Sequence, residues 1–410
     1  MLIKIYNGRL LRDHQLVEND TLWIEDGKIM DGADVFWHEQ RSPDRTIDAG
    51  GRIICPGFID VQINGAFGVD FSEPSTTYAA DLKRVARGLL QHGCTAFCPT
   101  IVSSRPEVYH KLLPYLVPRA GSRATGAAVL GAHIEGPFIC PEKRGAHEPE
   151  TLRQAPNGFA DFEACYGTNG LWDAVRIITL APDVPGVLDA IPELVRCGLV
   201  VSEGHSNATT AQAEEAVRRG ARMVTHLYNA MHQFHHRDPG LIGLLGSNVN
   251  LPRPHYGIIC DGIHVHPNSI KVAYYAHPTG AVIVTDAMSA LGLDPGMYSL
   301  GKMTVEKFDD RVYLEGTETL AGNVVNMEDS VKNFQRFTGC TTVEVLEAAT
   351  LHPARVLGIT ATKGTLAPGA DADLLFLDDD LTVRRVFVAG EEVSLLPAEG
   401  DTSDAPLDRS

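Results

Sequence analysis

The sequence predicts an α/β protein: a (β/α)8 barrel of the TIM type with a small β-sandwich domain built from both chain ends. Three observations lead there. Between residues 53 and 286, eight short apolar runs alternate with helical stretches. Both chain ends read instead as short strands with turns between them. The polar residues able to do chemistry fall just past the apolar runs, and a parallel barrel gathers those positions at one mouth.

Residues 2–6, 21–25 and 28–30 read as short strands, punctuated by Gly27 and Gly32. The eight apolar runs are 53–61, 95–100, 127–134, 175–180, 198–203, 222–226, 256–261 and 281–286. Unbroken apolar runs suit parallel strands covered on both faces. Helical patterns occupy 76–91, 106–116, 185–196, 208–219 and 268–276. The stretch 208–219 has Asn207 or Thr209 as its cap and Gly220 as its stop. Beyond the eighth run, 327–337 and 342–351 read as helices. Thr341 and Glu344 are spaced as a capping box for the second, and Pro353 is expected to end it. Residues 373–378 and 383–388 return to strand. The expected division is 1–55 plus 360–395 for the sandwich and 56–359 for the barrel, with 396–410 a disordered Asp/Ser/Pro-rich tail. A doubly wound open sheet is the alternative, but no G-x-G-x-x-G opens the first βα turn.

The 410 residues are 44% hydrophobic and 21% charged, the composition of a soluble globular chain. A net charge of −17 argues against nucleic acid and anionic membranes as main partners. It leaves room for a small anion held in a local basic pocket. Eight scattered cysteines are no disulfide framework and point to a reducing, cytoplasmic setting. Cys94 and Cys98, near His92, read as small buried hydrophobes rather than a zinc site. Lys4 and Arg9 interrupt any signal-peptide pattern, and no long apolar run predicts a membrane span.

Six polar residues mark the strand ends. Asn64 follows the first run, Glu135 the third, His205 the fifth and His264 the seventh, while His226 and Asp286 end the sixth and eighth. Glu135, His205 and His226 form a set that binds a borderline divalent ion and leaves a position open. Such an ion lowers the pKa of water from ~15.7 towards ~7. Asp286 is placed to move a proton, and His264 to stabilise charge on a scissile carbonyl oxygen. Singly, each has a structural explanation: a hydrogen-bonded histidine, a strand terminator, or an N-cap for Asp286. Their joint position at successive strand ends favours the functional one. Two basic loops, Lys143, Arg144 and His147 after the third run and His235, His236 and Arg237 after the sixth, are phosphate candidates. His255 and His266 carry no comparable signal, and His232 stays open.

Nine segments carry a further signal: PGFIDVQINGAFGVDF (56–71), HIEGPF (133–138), KRGAH (143–147), GHSNAT (204–209), THLYNAM (225–231), HHRDPG (235–240), DGIHV (261–265), VTDAM (284–288) and TLAGN (319–323). In this order they resemble the N-acetylglucosamine-6-phosphate deacetylase family, in its animal form more than its bacterial one. The closing segment KGTLAPGADADLLFLD (363–378) is similar to one shared across the amidohydrolase superfamily. The resemblance implies hydrolysis of N-acetylglucosamine 6-phosphate to glucosamine 6-phosphate and acetate. It implies Glu135, His205 and His226 as metal ligands and Asp286 as catalytic acid/base. It implies substrate contacts from Ala146, His147, Asn229, Ala230, Arg237, Asp261, Gly262, Ile263, His264, Leu320, Ala321 and Gly322. It also implies a homodimer whose neighbouring subunit supplies basic groups to the phosphate, with His236 and Arg237 as candidates.

Two departures qualify the resemblance. Where many amidohydrolases have His-x-His after the first strand, this chain has Gln62-Ile63-Asn64, poor ligands for a second ion. One divalent ion is therefore expected; zinc suits the set best, and iron, cobalt, nickel or manganese also fits. Asn323 stands where the family often has a smaller residue, which is expected to touch the acetyl pocket. Hydrolases of cyclic amides share the barrel but usually need the His-x-His pair. A non-catalytic scaffold of the same fold would have lost its histidines or its aspartate.

Overall fold

The computed structural model describes residues 1–168, 172–249, 252–300, 303–309, 311–317 and 322–395. The expected tail therefore lies outside the described residues.

Eight parallel strands form the barrel: β1 (Phe58–Ile63), β2 (Cys94–Val102), β3 (Ala132–Glu135), β4 (Val175–Leu180), β5 (Val200–Glu203), β6 (Met223–Val224), β7 (His255–Ile259) and β8 (Ala281–Val284). Each pairs with the next from β1 through β8, with register shifts in the first and third pairings. The mouth closes through the chain just past β8, where the Asp286 amide donates to the Gln62 carbonyl at 2.8 Å. Ile59, Val61, Ile177, Val200, Met223, Val282 and Val284 pack together as the barrel interior, with Ala354 and Val356 among them. The opposite strand faces, including Ile134, Ile178, Val201 and Ile283, pack with the apolar faces of the surrounding helices. Both faces are thus buried, which is why the strands read as unbroken apolar runs.

Several expected elements shift. The run 53–61 is two strands: Ile53–Pro56 pairs with Leu374–Leu377 in the end sheet, and only Phe58 onward belongs to the barrel. Gly57 makes the joint, because a Cβ there would lie 1.9 Å from Thr95 Oγ1. Pro353 does not end the helix Thr342–Ala349; it lies within the next one, Leu351–Leu357. There it is in the first turn, where its missing N–H costs no hydrogen bond. The capping boxes at Thr209–Gln212 and Thr341–Glu344 both form. An antiparallel trio, Gly296–Leu300, Met303–Phe308 and Arg311–Leu314, was not anticipated.

The end strands form one eight-stranded sheet. The first two are longer than expected, Leu2–Arg12 and Gln15–Glu25. Asn7 and Asn19, at φ 55° and 58°, look like loop residues but sit where the pairing register shifts. The sheet wraps round its own core of Ile3, Ile5, Leu22, Ile24, Leu374, Phe376 and Phe387. Lys28, in the edge strand Lys28–Met30, bridges to Asp371 just before the strand Leu374–Leu377, which curls the sheet on itself.

Lys363 locks this closure. Its Nζ lies 2.8 Å from Asp371 and 2.6 Å from Asp373. Burial works against the ammonium, but the two carboxylates outweigh it and raise its proton affinity. Lys363→Met is expected to cost about 3–5 kcal/mol, because Asp373 is left as an uncompensated buried charge. Thermal unfolding checks this; an unchanged melting temperature contradicts it.

Candidate active site

The strand ends bring one carboxylate and two imidazoles to a single point. Glu135 ends β3, His205 follows β5 after Gly204, and His226 lies two residues past β6. Glu135 Oε1 is 3.0 Å from His205 Nε2 and 2.9 Å from His226 Nε2, and the two nitrogens are 3.0 Å apart. All three residues are at most 5% exposed. Burial would raise the Glu135 carboxyl, yet hydrogen bonds and charge from His205 and His226 hold it well below the usual range. Burial would lower His226, but Glu135 and the charge of Asp286 carry it up to about 9. Three polar atoms so close suit a shared cation.

The ring tautomers sort ligand from donor. His205 Nδ1 meets the Lys143 carbonyl at 2.8 Å, so Nδ1 carries the proton and the Nε2 lone pair faces inward. His147 also stands close, offering an atom within 4.8 Å of those of Glu135 and His205. Its Nδ1, however, accepts the Ser103 amide at 3.2 Å. Burial first, then the charge of His205, lowers its proton affinity to about 3. A neutral His147 therefore keeps its proton on Nε2 and donates rather than ligates. The triangle made with His226 is the tighter set and fits a divalent ion.

Asp286 lies two residues past β8 and is half-buried. Asn64 Nδ2 donates to its Oδ1 at 2.7 Å, and Gln62 Nε2 does so at 3.3 Å. Gln62 Nε2 also reaches Glu135 Oε1 at 3.2 Å. The amides in the place of a second metal-ligand pair thus hold both carboxylates by hydrogen bonds. Burial, reinforced by the charge of Glu135, pushes Asp286 up to about 6. His264 is half-buried in the loop after β7, its Nδ1 2.6 Å from Asp261 Oδ2. Burial opposes ionisation of Asp261, but the His264 hydrogen bond and charge keep its carboxyl low.

Asn229 presents a buried Nδ2 with no partner among the described residues, a donor available to a ligand. It follows His226 in a turn where Tyr228 and Ala230 have φ of 78° and 50°. Gly262, Ile263 and Gly322 are half-buried, and Ala146 is exposed beside His147 in the chain. Leu320 and Ala321 lie outside the described residues. His236 and Arg237 are exposed, stacked near His235 and bonded to each other rather than to the buried cluster. Sequence reasoning passed over Ser103, which fixes His147, and the hydrogen-bonding part played by Gln62. Gln62 gave one signal: a polar residue inside an apolar strand.

His205, His226 and Asp286 share a backbone feature: φ of 48°, 26° and 49°, the left-handed region. Side chains other than glycine rarely occupy it, and such strain gathers at functional sites.

A parallel barrel with this cluster at its C-terminal mouth defines a metal-dependent hydrolase of the amidohydrolase type. Residues 53–393 match the amidohydrolase family. An N-acetylglucosamine-6-phosphate deacetylase of Danio rerio is 47% identical over 395 residues, covering 96% of this chain and 96% of that protein. The protein of that name from Bos taurus is 49% identical over 395 residues, covering 96% and 95%. A crystal structure of N-acetylglucosamine-6-phosphate deacetylase from Pasteurella multocida matches with a TM-score of 0.83 at 30% identity, covering 96% of this chain and 99% of that one. The chain belongs to the amidohydrolase family, among its N-acetylglucosamine-6-phosphate deacetylases.

Proposed function

We propose that the chain hydrolyses the acetamide of N-acetylglucosamine 6-phosphate, giving glucosamine 6-phosphate and acetate. The carrying observation is the convergence of Glu135 Oε1, His205 Nε2 and His226 Nε2 within 3.0 Å, beside the half-buried Asp286. In this reading those three residues hold one divalent ion, zinc by the donor chemistry. The ion, when bound, acidifies water and polarises the acyl oxygen. Asp286 takes the water proton and returns it to the departing sugar nitrogen. Its Oδ1 is held by Asn64, which leaves Oδ2 for that work. His264 faces the oxygen on which charge develops, its ring held by Asp261 Oδ2 at Nδ1.

The buried Asn229 Nδ2 and the proposed Nε2–H of His147 serve the sugar. Ala146, Ala230, Asp261 to Ile263 and Leu320 to Gly322 complete the expected contacts. His236 and Arg237 face outward next to Phe234, itself 63% exposed. This supports a homodimer in which the loop reaches the phosphate of the neighbouring site. Division of the chain near Gly57 into sandwich and barrel belongs to the same reading. So does a cytoplasmic setting: all eight cysteines are free, and no helix among the described residues is long and apolar enough to cross a membrane.

Acetate release tests the proposal. N-acetylglucosamine 6-phosphate and the unphosphorylated sugar are compared before chelation, after it, and after zinc is restored. Release from the phosphorylated sugar alone, lost on chelation and recovered with zinc, is expected. No release from either sugar by folded, metal-loaded protein overturns the substrate.

A further inference from the structure

Asp286 is held from two sides. On the β1 side, Asn64 and Gln62 hold its carboxylate, and Asp60 Oδ2 accepts the Thr285 hydroxyl at 2.5 Å. On the other side stands Asn323, 2% exposed. Its Nδ2 donates to the Thr285 carbonyl at 2.8 Å, and its Oδ1 accepts the Val325 amide at 2.8 Å. Its own carbonyl accepts the Met288 amide at 2.9 Å, and it bridges to Ala287. The residues flanking Asp286 on both sides are therefore tied to one asparagine. Asp286 itself has a φ of 49°, a conformation its surroundings must impose. The expected place of Asn323 in the acetyl pocket is thereby revised. Its amide is spent on backbone, not turned to a ligand.

We infer that Asn323 is a positioning residue for Asp286. Its amide fixes the Thr285 carbonyl, and with it the backbone turn that aims the carboxylate. The same amide fastens Val325 to the turn that carries Asp286. A shorter side chain cannot bridge Thr285 and Val325. Aspartate would set an oxygen against the Thr285 carbonyl oxygen and convert an attraction into a repulsion. The inference rests on Asp286 being the proton carrier.

The test uses zinc-loaded full-length protein carrying Asn323→Ala and Asn323→Asp, each also combined with Asp286→Asn. A small misplacement of a catalytic group costs rate more than binding, so kcat is expected to fall about tenfold or more. KM and zinc content are expected to hold within about twofold, because this residue touches neither ligand nor metal set. Asn323→Ser, which retains the reach for one bond, is expected to recover part of the rate. In the Asp286→Asn background, Asn323→Ala should change the residual single-turnover rate by less than about twofold, since coupled residues are not additive. A lowered melting temperature with unchanged kcat overturns the inference, leaving Asn323 as a structural residue. Full additivity with Asp286→Asn overturns it too. An Asp286→Asn enzyme at wild-type rate instead removes the proton-carrier reading itself, and positioning falls with it.

Discussion

Asp286→Asn is expected to lower turnover between about a hundredfold and ten-thousandfold, the range that a positioned acid/base supplies. The substitution is nearly isosteric. Its carbonyl oxygen can keep accepting from Asn64 and Gln62, which now bond to Oδ1 at 2.7 and 3.3 Å. The amide then occupies the place of Oδ2 and cannot take a proton from water. Geometry is preserved while proton transfer is lost, so bound zinc and affinity for a non-hydrolysable substrate analogue should stay at wild-type levels. Single-turnover acetate release with metal analysis separates these quantities. Turnover near wild type would assign the proton to another group. Loss of zinc along with rate would make Asp286 a ligand instead.

Glu135→Gln is expected to empty the site. Glu135 carries the negative charge in a triangle otherwise made of imidazoles. Removing partners that merely orient a ligand costs about 10–100-fold in metal affinity, and removing the carboxylate ligand should cost more. Zinc content after dialysis against a weak chelator reads this directly. Acetate release should fall in proportion and return only at high added zinc. Full zinc occupancy after dialysis would take Glu135 out of the ligand set.

The barrel was legible because burying both faces of a parallel strand demands unbroken apolar runs, and Ile134, Ile178 and Val201 are such residues. The convergence of Glu135, His205 and His226 was legible for a related reason: parallel strands end on one side, which gathers their end residues at one mouth. The joint at Gly57 was hidden because apolar sequence runs straight through it, from the end sheet into β1. Pro353 misled because a proline suits a helix start as well as its end, and only the tertiary path decides. Asn323 gave no usable signal, since what it does depends on carbonyls and amides near Thr285 and Val325 that sequence does not place. His236 and Arg237 stand in an exposed loop, where they bond to each other and not to the buried cluster.

The left-handed backbone at His205, His226 and Asp286 bears on how this protein could be re-engineered. Such conformations cost on the order of 1–3 kcal/mol each, and the surrounding barrel sustains them. Glycine at any of the three would relax the chain and remove the reactive group at once. Selection for heat resistance alone would then find gains at the residues that the proposed chemistry uses. Thermostable variants sought without an activity screen would drift toward a quieter, emptier mouth, and directed evolution of this barrel should hold these three positions fixed.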